Sequence, residues 1–282
     1  MLGKLYNKKL NLQILITGSI MVMIKNEENP KMKKGFTLAE VLITLGIIGV
    51  VAALTIPVLV GKYQERATVT AVKKAYNIFT TATMRAVEEN GTPDTWDLGT
   101  AQGNAQGAKN VLDILLPYLK TAKVCYGEPG CFASGKYKAG AGVMFSDYDG
   151  NAGNAKAVLA DGSSIFINIL GPACNFTNHW NRPENTPGKQ IDTEILNQCV
   201  WIGVDINGPR KPNEEGRDVF HFLITKGGKL IPDGAPGDEE IRNCAHMSPN
   251  SNYGANKGVG QGCTGWVVFN GNMDYLRKNI SW

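Results

Sequence analysis

Phe36 to Val60 reads FTLAEVLITLGIIGVVAALTIPVLV, twenty-five residues with a single charged side chain, Glu40. A helix rises ~1.5 Å per residue, so this stretch reaches about 37 Å and crosses a hydrocarbon core of roughly 30 Å. Lys31, Lys33 and Lys34 stand just before it and favour a cytoplasmic N-terminus, with the remainder of the chain outside. Beyond Val60 the pattern turns amphipathic. Val69, Val72, Tyr76, Phe79, Thr83 and Val87 recur three or four residues apart, with Lys62, Arg66, Lys73 and Arg85 between them. The helix is expected to run from about Thr37 to Glu89, where Asn90-Gly91 supply a C-cap and Pro93 forbids continuation.

Upstream, Leu10 to Ile24 is a weaker apolar stretch interrupted by Asn11, Gln13, Thr17 and Ser19. It is short for a span and has the length of a signal-peptide core, yet KNEENPK follows it in place of a small-residue cleavage pattern. The reading adopted is that Met32 is the true start and residues 1–31 come from a misassigned one. The whole chain has 282 residues, 43% hydrophobic and 19% charged, enough for one full core or two small ones, which excludes disorder throughout. Its net charge of +4 is spread thinly, and no basic block marks a dedicated nucleic-acid surface.

Within the span, Gly46, Gly49 and Ala52-Ala53 put small residues among large ones, which lets neighbouring helices approach closely. Pro57 removes one helix hydrogen bond and is expected to kink or loosen the helix. A carboxylate in an apolar helix costs ~2.5–3.5 kcal/mol on insertion scales, so Glu40 needs either a partner or a position near enough to the interface to stay hydrated.

The segment KKGFTLAEVLITLGIIGVVAALTIP resembles the N-terminal signature of type IV pilins and type II secretion pseudopilins. Lys33, Lys34, Gly35, Phe36, Thr37-Leu38 and Glu40 follow that family's order, and Pro57 falls where many members place a helix-bending proline. The likeness covers about sixty residues. It implies that prepilin peptidase cuts between Gly35 and Phe36 and methylates the new amine of Phe36. A glycine at that point leaves the backbone open to a protease. Cleavage here keeps the apolar helix on the mature chain, unlike removal of an ordinary secretory signal. The resemblance also implies that Glu40 pairs with the amino terminus of Phe36 in the same or a neighbouring subunit.

Six cysteines, Cys125, Cys131, Cys174, Cys199, Cys244 and Cys263, all lie outside the apolar segments. The nearest pair encloses five residues, CYGEPGC, which suits a disulfide better than a C-x₂-C zinc site. Pairing each cysteine with its sequence neighbour is one of fifteen connectivities. Disulfides place this part of the chain in an oxidising compartment.

The remainder reads as a head domain. Residues 91–107 form a Gly-rich loop, and AKNVLDILLPYLK at 108–120 a short helix. KAVLADGSSIFINIL has the form strand, Asp161-Gly162 turn, strand, and VWIGVDI with VFHFLIT suggests a second antiparallel pair, followed by a Gly227-Gly228 turn into KLI. Long loops at 171–198 and 232–263 are bracketed by cysteines. Two loops offer hard oxygen donors for calcium: Asp205, Asn207, Glu214, Glu215 and Asp218 in one, and Asp147, Asp149 and Asn151 in the other. Some pseudopilins hold calcium in a C-terminal loop, which the resemblance adds to that reading, while ordinary turn chemistry by Asp, Asn and Gly explains the same residues. His179, His221 and His246 are scattered with no nucleophile motif beside them, and His221, alternating with apolar residues, reads as a strand residue facing outward or satisfied by a hydrogen bond.

The expected fold class is therefore α+β, a long N-terminal helix packed on an antiparallel sheet with disulfide-stapled loops. Its expected segments are a leader at 1–35, a transmembrane and filament-core helix at 36–60, an amphipathic continuation at 61–89 and an extracytoplasmic head at 90–282. The expected role is a non-enzymatic subunit of a type IV pilus or secretion-like filament, single-pass in the inner membrane before extraction. Its partners would be other subunits, prepilin peptidase and an inner-membrane assembly platform, with no cofactor unless calcium. The alternative is a membrane-anchored or filament-tip binding protein for adhesion or DNA capture that does not polymerise. Trp180 and Tyr253 in the long loops have side chains that stack on sugars or bases, and equally ones that pack.

Overall fold

The computed structural model describes residues 35–139, 146–176, 197–238, 241, 244, 260–278 and 280. Lys31, Met32, Lys33, Lys34, His179, Trp180, His246 and Tyr253 lie outside the described residues. The fold is α+β: helix α1 spans Leu38–Asn90, and a six-stranded antiparallel sheet follows. Two compact units divide the chain between Thr55 and Ile56.

In the first unit, α1 carries the only helical segment, among the described residues, that is long and apolar enough to cross a membrane. Thr44 and Thr55, polar side chains within the apolar run, donate to helix carbonyls, Thr44 to Glu40 at 2.9 Å and Thr55 to Val51 at 2.9 Å. That satisfies them without an outside partner.

In the second unit, α1 buries Val72, Ala75, Phe79, Ala82 and Ala86, a stripe at helical spacing. It ends where expected. Gly91 takes φ +78° and its N–H donates to Val87 O at 3.0 Å, a left-handed C-cap. Helix α2 runs Ala105–Leu115, starting three residues before the sequence reading placed it, because the Asn104 side chain caps it by accepting from Gly107 N at 2.8 Å. Gly107, read as a loop residue, is inside this helix. A Cβ there would sit 2.0 Å from the Leu98 carbonyl oxygen, so glycine permits a close crossing. Pro117 converts the next residues, Leu116–Tyr118, into a 3-10 turn.

The sheet is a meander of β1 Thr121–Tyr126, β2 Ala155–Leu159, β3 Ser164–Ile169, β4 Gln198–Asp205, β5 Val219–Thr225 and β6 Leu230–Pro232, each paired antiparallel with the next. The hairpin around Asp161-Gly162 forms β2–β3, and VWIGVDI and VFHFLIT form β4–β5. Two elements were not anticipated: edge strand β1, whose burial does not alternate, and helix α3 Cys263–Asn270, in a stretch where cysteines and glycines mask the helical pattern.

Register decides which side chains meet on each face. Ala155, Ile167, Ile202 and Phe222 lie in one row on the inner face, and the ring of Phe222 contacts those of Tyr76 and Phe79 from α1. On the outer face the corresponding row is Lys156, Phe166, Gly203 and His221. No residue but glycine fits between Phe166 and His221: a Cβ at 203 would come 1.9 Å from Phe166 Cε1. Among the described residues, loops cover this outer face. Three disulfides join Cys125 to Cys131, Cys174 to Cys199 and Cys244 to Cys263.

Candidate assembly site and the polar layer of the head

The beginning of α1 is held by side chains that the apolar run itself supplies. Thr37 is the N-cap. Its Oγ1 accepts from Glu40 N at 3.2 Å, while Glu40 Oε2 accepts from Thr37 N and from Thr37 Oγ1, both at 2.9 Å. This reciprocal capping box satisfies orphan donors of the first turn. Glu40 thus has a polar partner inside its own chain, which the sequence reading had not found, although T-x-x-E before an apolar run is the signal for it. Because the helix starts only at Leu38, the Gly35–Phe36 bond lies outside it, and Phe36 is 87% exposed. A Cβ built on Gly35 meets nothing within 4 Å, so no contact in this chain demands glycine there.

Along the span, side chains from Leu38 to Val60 are exposed apart from the half-buried Ala52. Gly46 and Gly49 also have open space beyond their Cα atoms. With Ala53 they recur at i, i+3 and i+7 and share one helix face. Pro57 lies inside α1 and removes one backbone donor from it.

A family model described as "Prokaryotic N-terminal methylation motif" matches residues 30–56. The chain carries the type IV pilin and pseudopilin signature. Such a motif points to a structural protein, and an apolar N-terminal helix fits a pilin-like subunit anchored in the inner membrane. Among curated proteins, a 46-residue stretch is 37% identical to an ATP-dependent Clp protease proteolytic subunit of Cycas taitungensis, covering 16% of this chain and 22% of that protein. So small a share of either carries no argument about peptidase chemistry. No solved structure matches.

The pilin-like head holds an unusual polar layer between sheet and outer loops. Lys156, fully buried, directs its ammonium at the carbonyls of Gly127, Asp149 and Asn151. The Asp149 carboxylate accepts the backbone N–H groups of Gly130, Cys131 and Phe132 at 2.9–3.1 Å. Burial alone would raise its pKa, but these donors and the Lys156 charge hold it below the usual value. In this loop, one of the two read as calcium candidates, the Lys156 ammonium thus meets main-chain carbonyls of Asp149 and Asn151. Deeper in, Glu215 accepts from Tyr148 and meets His221 Nε2 at 2.6 Å, with His221 and Glu215 both wholly buried. His221 faces outward from the sheet and is hydrogen-bonded, yet it is sealed from solvent by the loops.

Asp205, Asn207 and Asp218 of the other loop do come together. Asp205 accepts from Tyr137 at 2.7 Å and from Asn207 N at 3.2 Å. Both Asp218 oxygens accept backbone N–H groups, from Asn213 and Glu214, at 2.6 Å. Burial, then the neighbouring Asp218 charge, pushes Asp205 up to about 8, and burial pushes Asp218 up to about 6. Asn207 Oδ1 and Asn213 Oδ1 are buried with no hydrogen-bond partner. Among the described residues no three His, Cys, Asp or Glu side chains converge as a metal-binding group.

Proposed function

We propose that this chain is a structural filament subunit, cut by prepilin peptidase between Gly35 and Phe36, methylated at Phe36 and assembled through residues 36–60. The observation that carries this reading is a smooth, exposed apolar helix whose glycines face no atom of their own chain. Small residues that serve nothing internally serve a neighbouring helix, since lipid-embedded helices associate by close packing. The Phe36 amine released by cleavage belongs to the residue just before Thr37, whose own nitrogen is bonded to Glu40 at 2.9 Å, which puts the new amine close to the same carboxylate. An ammonium there would compete with the capping interaction, or join it, in the same subunit or the next. No catalytic role is assigned to the head, where the His221–Glu215–Tyr148 group has no opening to substrate.

Intact-mass analysis of membrane and sheared-filament fractions, with and without the peptidase, tests this. A chain beginning at methylated Phe36, dependent on the peptidase and present in filaments, supports it. Processed chain confined to the membrane moves the assignment to the anchored or tip-located binding protein.

A second reading concerns calcium at Asp205, Asn207 and Asp218, supported by the two unpartnered amide oxygens beside paired carboxylates. A calcium-dependent rise in melting temperature, reversed by EGTA and absent from Asp218→Asn, supports it. No shift in the unaltered protein rules it out.

A further inference from the structure

The outer layer is attached to the sheet by an aromatic cluster around Phe166 and by polar contacts, and several of both involve the short loop closed by Cys125 and Cys131. Residues 127–132 supply a carbonyl to Lys156 on β2, a carbonyl to Ser164 on β3 and the N–H nest for Asp149. Tyr148, next to Asp149, continues the chain of contacts through Glu215 to His221 on β5. Phe132 packs against Tyr137, Tyr148 and Phe166 above the sheet. Beyond the backbone that runs on from Tyr126, this bridge is what ties the loop covalently to β1. Cys125 is also the most exposed half-cystine, at 8% against 1% or less for Cys174, Cys199, Cys244 and Cys263.

We propose that the Cys125–Cys131 bridge is a redox-addressable latch that docks the outer loop layer onto an already formed sheet. Reduction by a dithiol breaks the Sγ–Sγ bond, delivers two electrons and two protons to give two thiols, and leaves the reductant as a disulfide. A disulfide oxidant in an oxidising compartment runs the same exchange in reverse and closes the latch. The other two bridges staple elements of the inner core and stay closed. This inference does not depend on the filament reading. With the latch open, the aromatic side chains of Phe132, Tyr137 and Tyr148 leave Phe166 and the outer face becomes wet. Closing a loop of this length biases the chain against opening by on the order of 50-fold.

Graded dithiothreitol on the full chain, with thiol alkylation mapped by mass and amide exchange read in parallel, tests it. The expected result is labelling of Cys125 and Cys131 first. Exchange at the amides of residues 130–132 should then rise about 50-fold while the β3–β4 ladder keeps its protection. Joint reduction of all three bridges with loss of the whole sheet overturns the proposal, as does early opening of this bridge with unchanged exchange. The double variant Cys125→Ser/Cys131→Ser should reproduce the reduced pattern without dithiothreitol, and its global unfolding also overturns the latch. Lys156→Met, which keeps the bridge, should speed its reduction by loosening the docked layer; an unchanged reduction rate counts against the coupling.

Discussion

Glu40 and Gly35 illustrate how differently two adjacent signals act. Gly35 is structurally free, so Gly35→Ala should leave the head's melting temperature unchanged while the precursor stays uncut, read by intact mass. Normal cutting of that variant would remove the protease as the reason for the glycine. Thr37→Val, in contrast, removes the cap that Glu40 shares and should cost about 1 kcal/mol of local helix stability, seen as faster amide exchange over residues 38–41. Within the head, Asp149 ties acidity to the outer layer. Its folded pKa is depressed, so its contribution is fully present above the unfolded value of 3.8 and is lost as pH falls through the lower, folded value. Below about pH 4, exchange at residues 130–132 should rise, and Asp149→Asn should abolish that dependence, with a flat profile in the unaltered protein counting against it. The N-terminal methylation motif was readable because it is a run of adjacent residues. Lys156 was not, since its three carbonyl partners come from two loops, one after β1 and one before β2, that only the folded sheet brings together.

Among the elements, α1 enters the inner core through one stripe. Phe79→Ala, at a fully buried ring against Phe222, should destabilise the head by about 3–5 kcal/mol in urea unfolding, whereas Met84→Ala on the exposed face should change it little. Comparable costs for the two would mean that the stripe does not bear the packing. On the apolar half, Gly46→Leu with Gly49→Leu should leave membrane insertion and processing intact and abolish filaments; filaments at normal yield would discard the small-residue face as a contact. Periodicity made α1, the β2–β3 hairpin and the β4–β5 pair legible, since each is long and carries either helical spacing or a turn signal. It could not reveal α3, only eight residues long and built around Gly265, or β1, whose exposed Ala122 and Lys123 break the alternation.

For the molecule as a whole, surface ion pairs contribute little that can be counted on. Lys74–Asp161 and Lys226–Asp94 are substantially exposed, and pairs of this kind are typically worth less than about 1 kcal/mol. Cohesion comes instead from a sheet with two unlike sides, an aliphatic one against helices and one against loops where aromatic rings stand among buried polar groups. That second side was hidden from sequence reasoning because alternation marks only which residues face together, and Lys156 and His221 were free to be read as solvated. The strand order has a further consequence for a chain delivered lengthwise across a membrane, as the proposed function requires. Every strand of the meander pairs with the one made just before it, so no segment has to wait, unpaired and sticky, for a partner still on the far side. Emergence and folding can keep pace, hairpin by hairpin, with α3 the last helix to settle.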